Sequence, residues 1–279
     1  MSGKSDNFQK NIEVSEGRTV QAGGYRLFVR DSGSNGPRVL FLHGLYCASS
    51  AGIPLLDGMA AYCRVIAPDL PGYGRSGPFP GRTGVDEAAE GVWNCLRVLG
   101  LDELELVAGY SMGGVVAARL LALNPEITGK LALLGAPSTK RAFSPLVQAL
   151  RPSLLGDMVG SAASLGMRVL AAGASLALSR GNPWRIMLQG SVSSFGLVNA
   201  RMVRSAFAVD IPRTAAALES VQVLVLSGDR DRIVYPEHAT NWTGLLPRAT
   251  LSWLPGEGHL APFFTPGEAS RRIEEFLRL

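Results

Sequence analysis

One hexapeptide constrains this chain more than any other feature: Gly109-Tyr110-Ser111-Met112-Gly113-Gly114. It stands between an apolar run, Leu104 to Ala108, and a helix-like stretch, Val115 to Leu123. A serine flanked by glycines at a strand-to-helix corner has a specific physical use. The glycines relieve crowding in a tight, strained turn, and the hydroxyl projects above a sheet. The helix that follows offers free N–H groups and the positive end of its dipole to developing negative charge. The five-residue pattern alone is weak, and its strand–turn–helix setting gives it weight. The bland alternative is a glycine-rich connection with an idle serine.

A nucleophilic serine needs a base, and the chain has three histidines. His43 ends an apolar run and precedes Gly44, where it is expected to shape a turn. His238, in Pro236-Glu237-His238, is expected at the start of a surface helix, simply solvated. His259 lies in Gly256-Glu257-Gly258-His259, a glycine-flanked loop after the last apolar run. Such a loop can hold an imidazole above the sheet beside Ser111, so elimination selects His259. The third member should be a buried carboxylate that orients the imidazole and stabilises its charged form. Gly228-Asp229-Arg230-Asp231 follows the run Val221 to Leu226, and both acids compete. Asp229 could cap a turn or pair with Arg232. No acid follows the earlier run Leu131 to Leu134, since Gly135 to Arg141 contains none.

Around these motifs, short strand-like runs alternate with helical ones. Tyr25 to Arg30 alternates with a period near two, as a half-exposed antiparallel strand does. Val39 to Leu42 is continuously apolar, as a strand buried on both faces is, and Val65 to Pro68, Leu104 to Ala108, Leu131 to Leu134 and Val221 to Leu226 behave similarly. Thr250 to Leu254 is a candidate last strand. Helical patterns fall at Asp86 to Leu99, Ser111 to Leu123, Glu237 to Leu245 and Pro266 to Leu277. The alternation predicts a mostly parallel sheet with helices on both faces. Residues 137 to 218 break the rhythm with Ala, Leu, Ser and Gly and no strand run. They are expected to be an inserted helical lid, with 1–136 and 219–279 forming one core domain; the insertion follows a strand end, where ligands bind in such sheets.

Composition narrows the partners. The 279 residues carry a formal charge of +4, with no dense basic run, so nucleic acid is not expected. From Pro137 to Ala217 there are nine basic residues against Asp157 and Asp210, leaving 18 basic and 21 acidic residues elsewhere. The excess admits two readings: solvated helix faces, or attraction of an anionic substrate, carrier or lipid surface. Cys47, Cys63 and Cys95 are few, odd in number and widely spaced, which suggests neither a disulfide framework nor a zinc site. The polar start, Met1 to Asn11, has no apolar signal core, and no run of 18 apolar residues is uninterrupted. The expectation is a soluble, cytoplasmic protein without a transmembrane segment.

Together these residues resemble the α/β-hydrolase family. The order serine, acid, histidine suits that fold. Leu42-His43-Gly44-Leu45 is similar to the family's histidine-glycine turn, and Asp69-Leu70-Pro71-Gly72-Tyr73-Gly74-Arg75-Ser76 to its next loop. Gly228 to Pro236 and Gly258-His259 match its acid and histidine loops. The resemblance implies an α/β fold with an inserted lid and, with the spacing past Gly228, favours Asp231 over Asp229. It also implies an oxyanion hole from the backbone N–H groups of Leu45 and Met112, with Cys47 nearby as a packing residue. Relatives with an aspartate nucleophile are excluded by Ser111. Leu260 follows His259 where meta-cleavage hydrolases typically carry tryptophan.

The expected activity is therefore hydrolysis of an ester or related acyl bond by Ser111, Asp231 and His259, with no cofactor and no metal. The expected partner is a small molecule with an apolar acyl part, and an anionic one on the second reading of the basic excess; nothing in the sequence sets an oligomeric state. The same residues serve acyl transfer, thioester or carbon–carbon cleavage and lyase chemistry, and a binding protein that keeps this fold without turnover is the non-catalytic alternative.

Overall fold

The computed structural model describes residues 17–139 and 196–279, together with 165–166, 169–170, 172–174 and 177. Much of the expected lid, including Leu146, Leu150, Leu154, Met158, Met167, Trp184, Met187 and Phe195, lies outside the described residues, as does Met1 to Asn11.

Among the described residues, eight strands form one sheet: β1 (Gly17–Ala22), β2 (Tyr25–Asp31), β3 (Arg38–Leu42), β4 (Arg64–Pro68), β5 (Leu106–Tyr110), β6 (Lys130–Leu134), β7 (Gln222–Gly228) and β8 (Ala249–Leu254). Their spatial order is β1-β2-β4-β3-β5-β6-β7-β8. β1 and β2 pair antiparallel, as do β2 and β4, while β4 through β8 in that order are parallel. The chain passes from β3 outward to β4, then returns to β3's other side as β5. That reversal opens a crevice at the carboxyl ends of β3 and β5, where ligands bind in doubly wound sheets.

The described helices are α1 (Ile53–Ala60), α2 (Val85–Val98), α3 (Met112–Leu123), α4 (Gly196–Ala208), α5 (Ile211–Ala216), α6 (Glu237–Leu245), α7 (Ala261–Phe264) and α8 (Pro266–Leu277). Alternation along each strand feeds two cores. Leu40, Leu42, Val107, Leu131, Leu133, Val223 and Val225 pack on one face, with Val92 of α2, Val116 and Leu120 of α3, Met202 of α4 and Trp242 of α6. Val39, Phe41, Leu106, Ala108, Ala132, Leu134, Leu224 and Leu226 pack on the other, with Leu55 and Met59 of α1, Phe263 of α7, and Ile273 and Phe276 of α8. Strands buried on both faces explain the continuous apolar runs.

The sequence reading names neither β1, α1 nor the short α7. β1 was not foreseen: only Val20 and Ala22 of its six residues are buried, and it pairs on one side alone. α1 was also missed, being eight residues long with Pro54 and Gly58 inside. Among the described residues, no helix is long and apolar enough to cross a membrane.

Candidate active site

Ser111 stands between β5 and α3 with φ 52° and ψ −122°, a left-handed backbone that costs an L-residue roughly 1–3 kcal/mol. Its N–H donates to Leu134 O at 2.8 Å, and its carbonyl accepts from Gly114 N at 2.9 Å. The flanking glycines are required by space. A Cβ on Gly109 would lie 2.3 Å from Gly113 O, and one on Gly113 would lie 2.3 Å from Leu42 O and 2.4 Å from His43 O. One on Gly114 would lie 2.4 Å from Ala136 Cβ. The first turn of α3 therefore presses backbone to backbone against the ends of β3 and β5, which side chains would prevent.

His259 reaches Ser111 from the loop after β8. Its Nε2 lies 3.0 Å from Ser111 Oγ, and its Nδ1 lies 2.6 Å from Asp231 Oδ2. The other carboxylate oxygen, Oδ1, accepts the N–H groups of Ile233 at 2.8 Å and Val234 at 2.9 Å. Asp231 is 3% exposed, so its charge is held by these donors rather than by solvent. A carboxylate only accepts, so Nδ1–H is the donor and Nε2 offers its lone pair to the serine hydroxyl. The loop carrying His259 is seated on that of Asp231: Arg230 N–H donates to Glu257 O at 2.9 Å. Gly135, at φ 55°, lies beneath the imidazole; a Cβ there would be 3.3 Å from Nδ1.

The competing residues take other places. Asp229 is exposed and accepts Gly256 N–H at 2.7 Å, which pins the turn after β8. His43 is buried; its Nδ1 donates to Gly44 O at 2.9 Å and its Nε2 accepts Leu70 N–H at 3.0 Å, tying the turn after β3 to that after β4. Burial pushes its pKa down, against an opposing pull from Asp69, so the ring is neutral. His238 corrects the expectation of a solvated residue: it is 1% exposed, and its Nδ1 accepts Ser138 N–H at 2.9 Å. The helix faces solvent with other residues, and His238 is turned inward against Ser138.

Leu45 follows Gly44, whose absent Cβ would lie 3.1 Å from Ser111 Cβ, so the Leu45 backbone runs beside the serine. Met112 opens α3, where an N–H has no acceptor within the helix. Cys47 is buried, in keeping with a packing role. A residue without an assigned role in the sequence reading is Tyr110. Its ring lies 5.1 Å from that of His259 and 4.6 Å, edge-on, from that of Phe263, and its hydroxyl donates to His259 O at 3.1 Å. The strand alternation carries the signal: Tyr110 shares a face with Leu106 and Ala108. An unprotonated imidazole nitrogen bonded to a hydroxyl can take its proton as the oxygen attacks an electrophile.

A doubly wound sheet, a serine at a strained strand–helix corner, and an imidazole and carboxylate from two later loops define an α/β-hydrolase architecture. The chain belongs to the alpha/beta hydrolase family, whose model matches residues 39–272. It is 30% identical over 247 residues to the polyketide synthase ThaQ of Burkholderia thailandensis; the match takes in 85% of this chain but spans only 11% of that protein's length. Among solved structures, a thermophilic esterase from Thermogutta terrifontis superposes with a TM-score of 0.72 at 22% identity, over 95% of this chain and 98% of the esterase. A meta-cleavage product hydrolase from Pseudomonas fluorescens gives 0.74 at 20% identity, over 94% and 97%. At these identities the two structures speak for the fold alone.

Proposed function

We propose that this chain is a serine hydrolase that cleaves a carboxylic ester or related acyl bond of a largely apolar small molecule through an acyl-enzyme. The observation that carries the reading is the unbroken hydrogen-bonded chain from Ser111 Oγ through His259 to Asp231. Ser111 Oγ attacks the carbonyl carbon as His259 Nε2 takes its proton. Asp231 keeps the ring oriented and stabilises the imidazolium. The N–H groups of Leu45 and Met112 bind the oxyanion, each effective donor contributing about 3–4 kcal/mol. The imidazolium then gives its proton to the leaving group. Water, deprotonated by the same nitrogen, attacks the acyl carbon; the bond from that carbon to Ser111 Oγ breaks, the imidazolium returns the proton to Oγ, and the acid leaves. Residues 137–218 are the lid of this reading, with 1–136 and 219–279 the core; Arg201, exposed on α4, belongs to their basic excess.

The test is labelling by a fluorophosphonate probe in wild type and Ser111→Ala, followed by a panel of p-nitrophenyl esters of increasing acyl length, a matched thioester and a meta-cleavage dienone. Labelling lost in Ser111→Ala, with turnover greatest on an ester, supports the proposal. Turnover of the dienone alone would move the same residues to carbon–carbon cleavage, and absence of labelling in the folded wild type would overturn the reading. A fall in kcat/KM with salt for an anionic ester but not its neutral match would assign the basic excess to substrate attraction.

A further inference from the structure

Asn199 lies in α4, within the segment between β6 and β7, and is wholly buried. Its side-chain oxygen accepts the N–H of Tyr46 at 3.2 Å. Tyr46 stands one residue beyond Leu45, and its φ of 57° is in the left-handed region that a bulky aromatic residue seldom adopts. Its phenol hydroxyl is buried and, among the described residues, has no hydrogen-bond partner. Both features work against this conformation of the turn, so surrounding contacts must hold it. One comes from within the turn, where Gly44 O accepts the Cys47 N–H at 3.3 Å. Asn199 supplies another from 153 residues away in sequence.

The helix that carries Asn199 is itself docked at several points. Ser205 Oγ accepts the N–H of Val85 at 2.8 Å, at the start of α2, where Gly84 has no side chain to cap the helix. The methyl groups of Val198 lie 3.1 Å from where a Cβ on Gly72 would stand, against the loop after β4. Met202 is fully buried in the core shared with α2 and α3. A side chain on such a helix can fix a neighbouring loop with little freedom of its own.

We propose that Asn199 is a positioning residue for the oxyanion site: by holding the Tyr46 N–H it fixes the turn that aims the Leu45 N–H beside Ser111. The inference rests on the roles given above to Ser111 and Leu45. On this view the segment between β6 and β7 completes the reaction geometry from α4, in addition to any covering of the site.

The experiment compares wild type, Asn199→Ala and Ser111→Ala for melting temperature, for kcat and KM on p-nitrophenyl butyrate per titrated active site, and for inhibition by a trifluoromethyl ketone, which forms a tetrahedral oxyanion on the serine. Asn199→Ala is expected to lower kcat by on the order of tenfold, to change KM less than twofold, and to weaken the ketone by the same factor as kcat/KM. A merely structural Asn199 would lower the melting temperature and the number of active sites while leaving kcat per site intact. That outcome, with Ser111→Ala inactive, overturns the Asn199 proposal alone. Full turnover in Ser111→Ala would overturn the underlying reading instead. Should Asn199→Ala fail to fold, Asn199→Ser, too short to reach Tyr46, carries the same comparison, and kcat per site within twofold of wild type would overturn the proposal.

Discussion

The hydroxyl of Tyr110 donates to the main-chain carbonyl of His259 at 3.1 Å, so the residue before the serine restrains the loop that carries the imidazole. Burial pushes the Tyr110 hydroxyl well above its ordinary value, with smaller contributions from Cys47 and Asp231, and it remains a donor throughout the physiological range. Tyr110→Phe keeps the ring and deletes this bond. Losing one such bond costs about 1 kcal/mol, so kcat should fall about fivefold with little change in KM. Unchanged kcat and an unchanged melting temperature would show that the bond restrains nothing.

Strain at Ser111 gives a second expectation. Ser111→Ala and Ser111→Gly should both lose ester turnover, but they should differ in stability. Alanine inherits the φ of 52°, whereas glycine occupies it freely. Ser111→Gly should exceed Ser111→Ala by about 1 kcal/mol in urea denaturation, after allowing for the greater freedom of the unfolded glycine chain. Equal stabilities would deny the strain.

The two acids should separate sharply. In Asp231→Asn, an amide oxygen can still accept from Ile233 and Val234, which leaves the amide nitrogen facing His259 Nδ1. The imidazole proton is then driven to Nε2, the nitrogen that must be free, and kcat should drop by about four orders of magnitude with the fold intact. Asp229→Asn should cost little turnover, since its exposed carboxylate accepts Gly256 N–H in the turn after β8, a bond the amide oxygen can keep. Comparable losses in both variants would contradict the assignment.

His43 sets an acid limit. Burial lowers its folded pKa below the ordinary 6.5, so the unfolded chain binds a proton that the folded chain refuses. Its contribution to stability is complete above about pH 6.5 and is lost as pH falls toward the folded value. Urea denaturation from pH 8 to 5 should show wild type losing stability more steeply than His43→Gln below pH 6.5, by up to about 1.4 kcal/mol per pH unit. Parallel curves would place the titration elsewhere.

The legible parts of this fold were those with strong local periodicity. The central strands read as apolar runs because both of their faces are buried, and Glu237–Leu245 and Pro266–Leu277 are helices at the bounds their patterns suggested. β1 escaped because an edge strand buries too few residues to announce itself, and α1 because eight residues with proline and glycine read equally well as a loop. Ser111 and His259 stand out by residue type and loop context, and Asp231 separates from Asp229 with the help of the family resemblance; the structure brings the three side chains together. The roles of Tyr110, His238 and Asn199 could not be read in this way, because each depends on a partner 100 or more residues away.

Among the described residues β8 forms one border of the sheet, paired to β7, and the loop beyond it supplies His259, 148 residues downstream of Ser111. During synthesis the strained serine corner is therefore translated long before the imidazole, and the corner's neighbours β3 and β6 precede it or follow closely. A nascent chain that has folded this far holds a serine without its base. On the proposed reading, the reaction cannot start until the last border strand docks, and a growing polypeptide is protected from its own nucleophile by the order in which its parts are made.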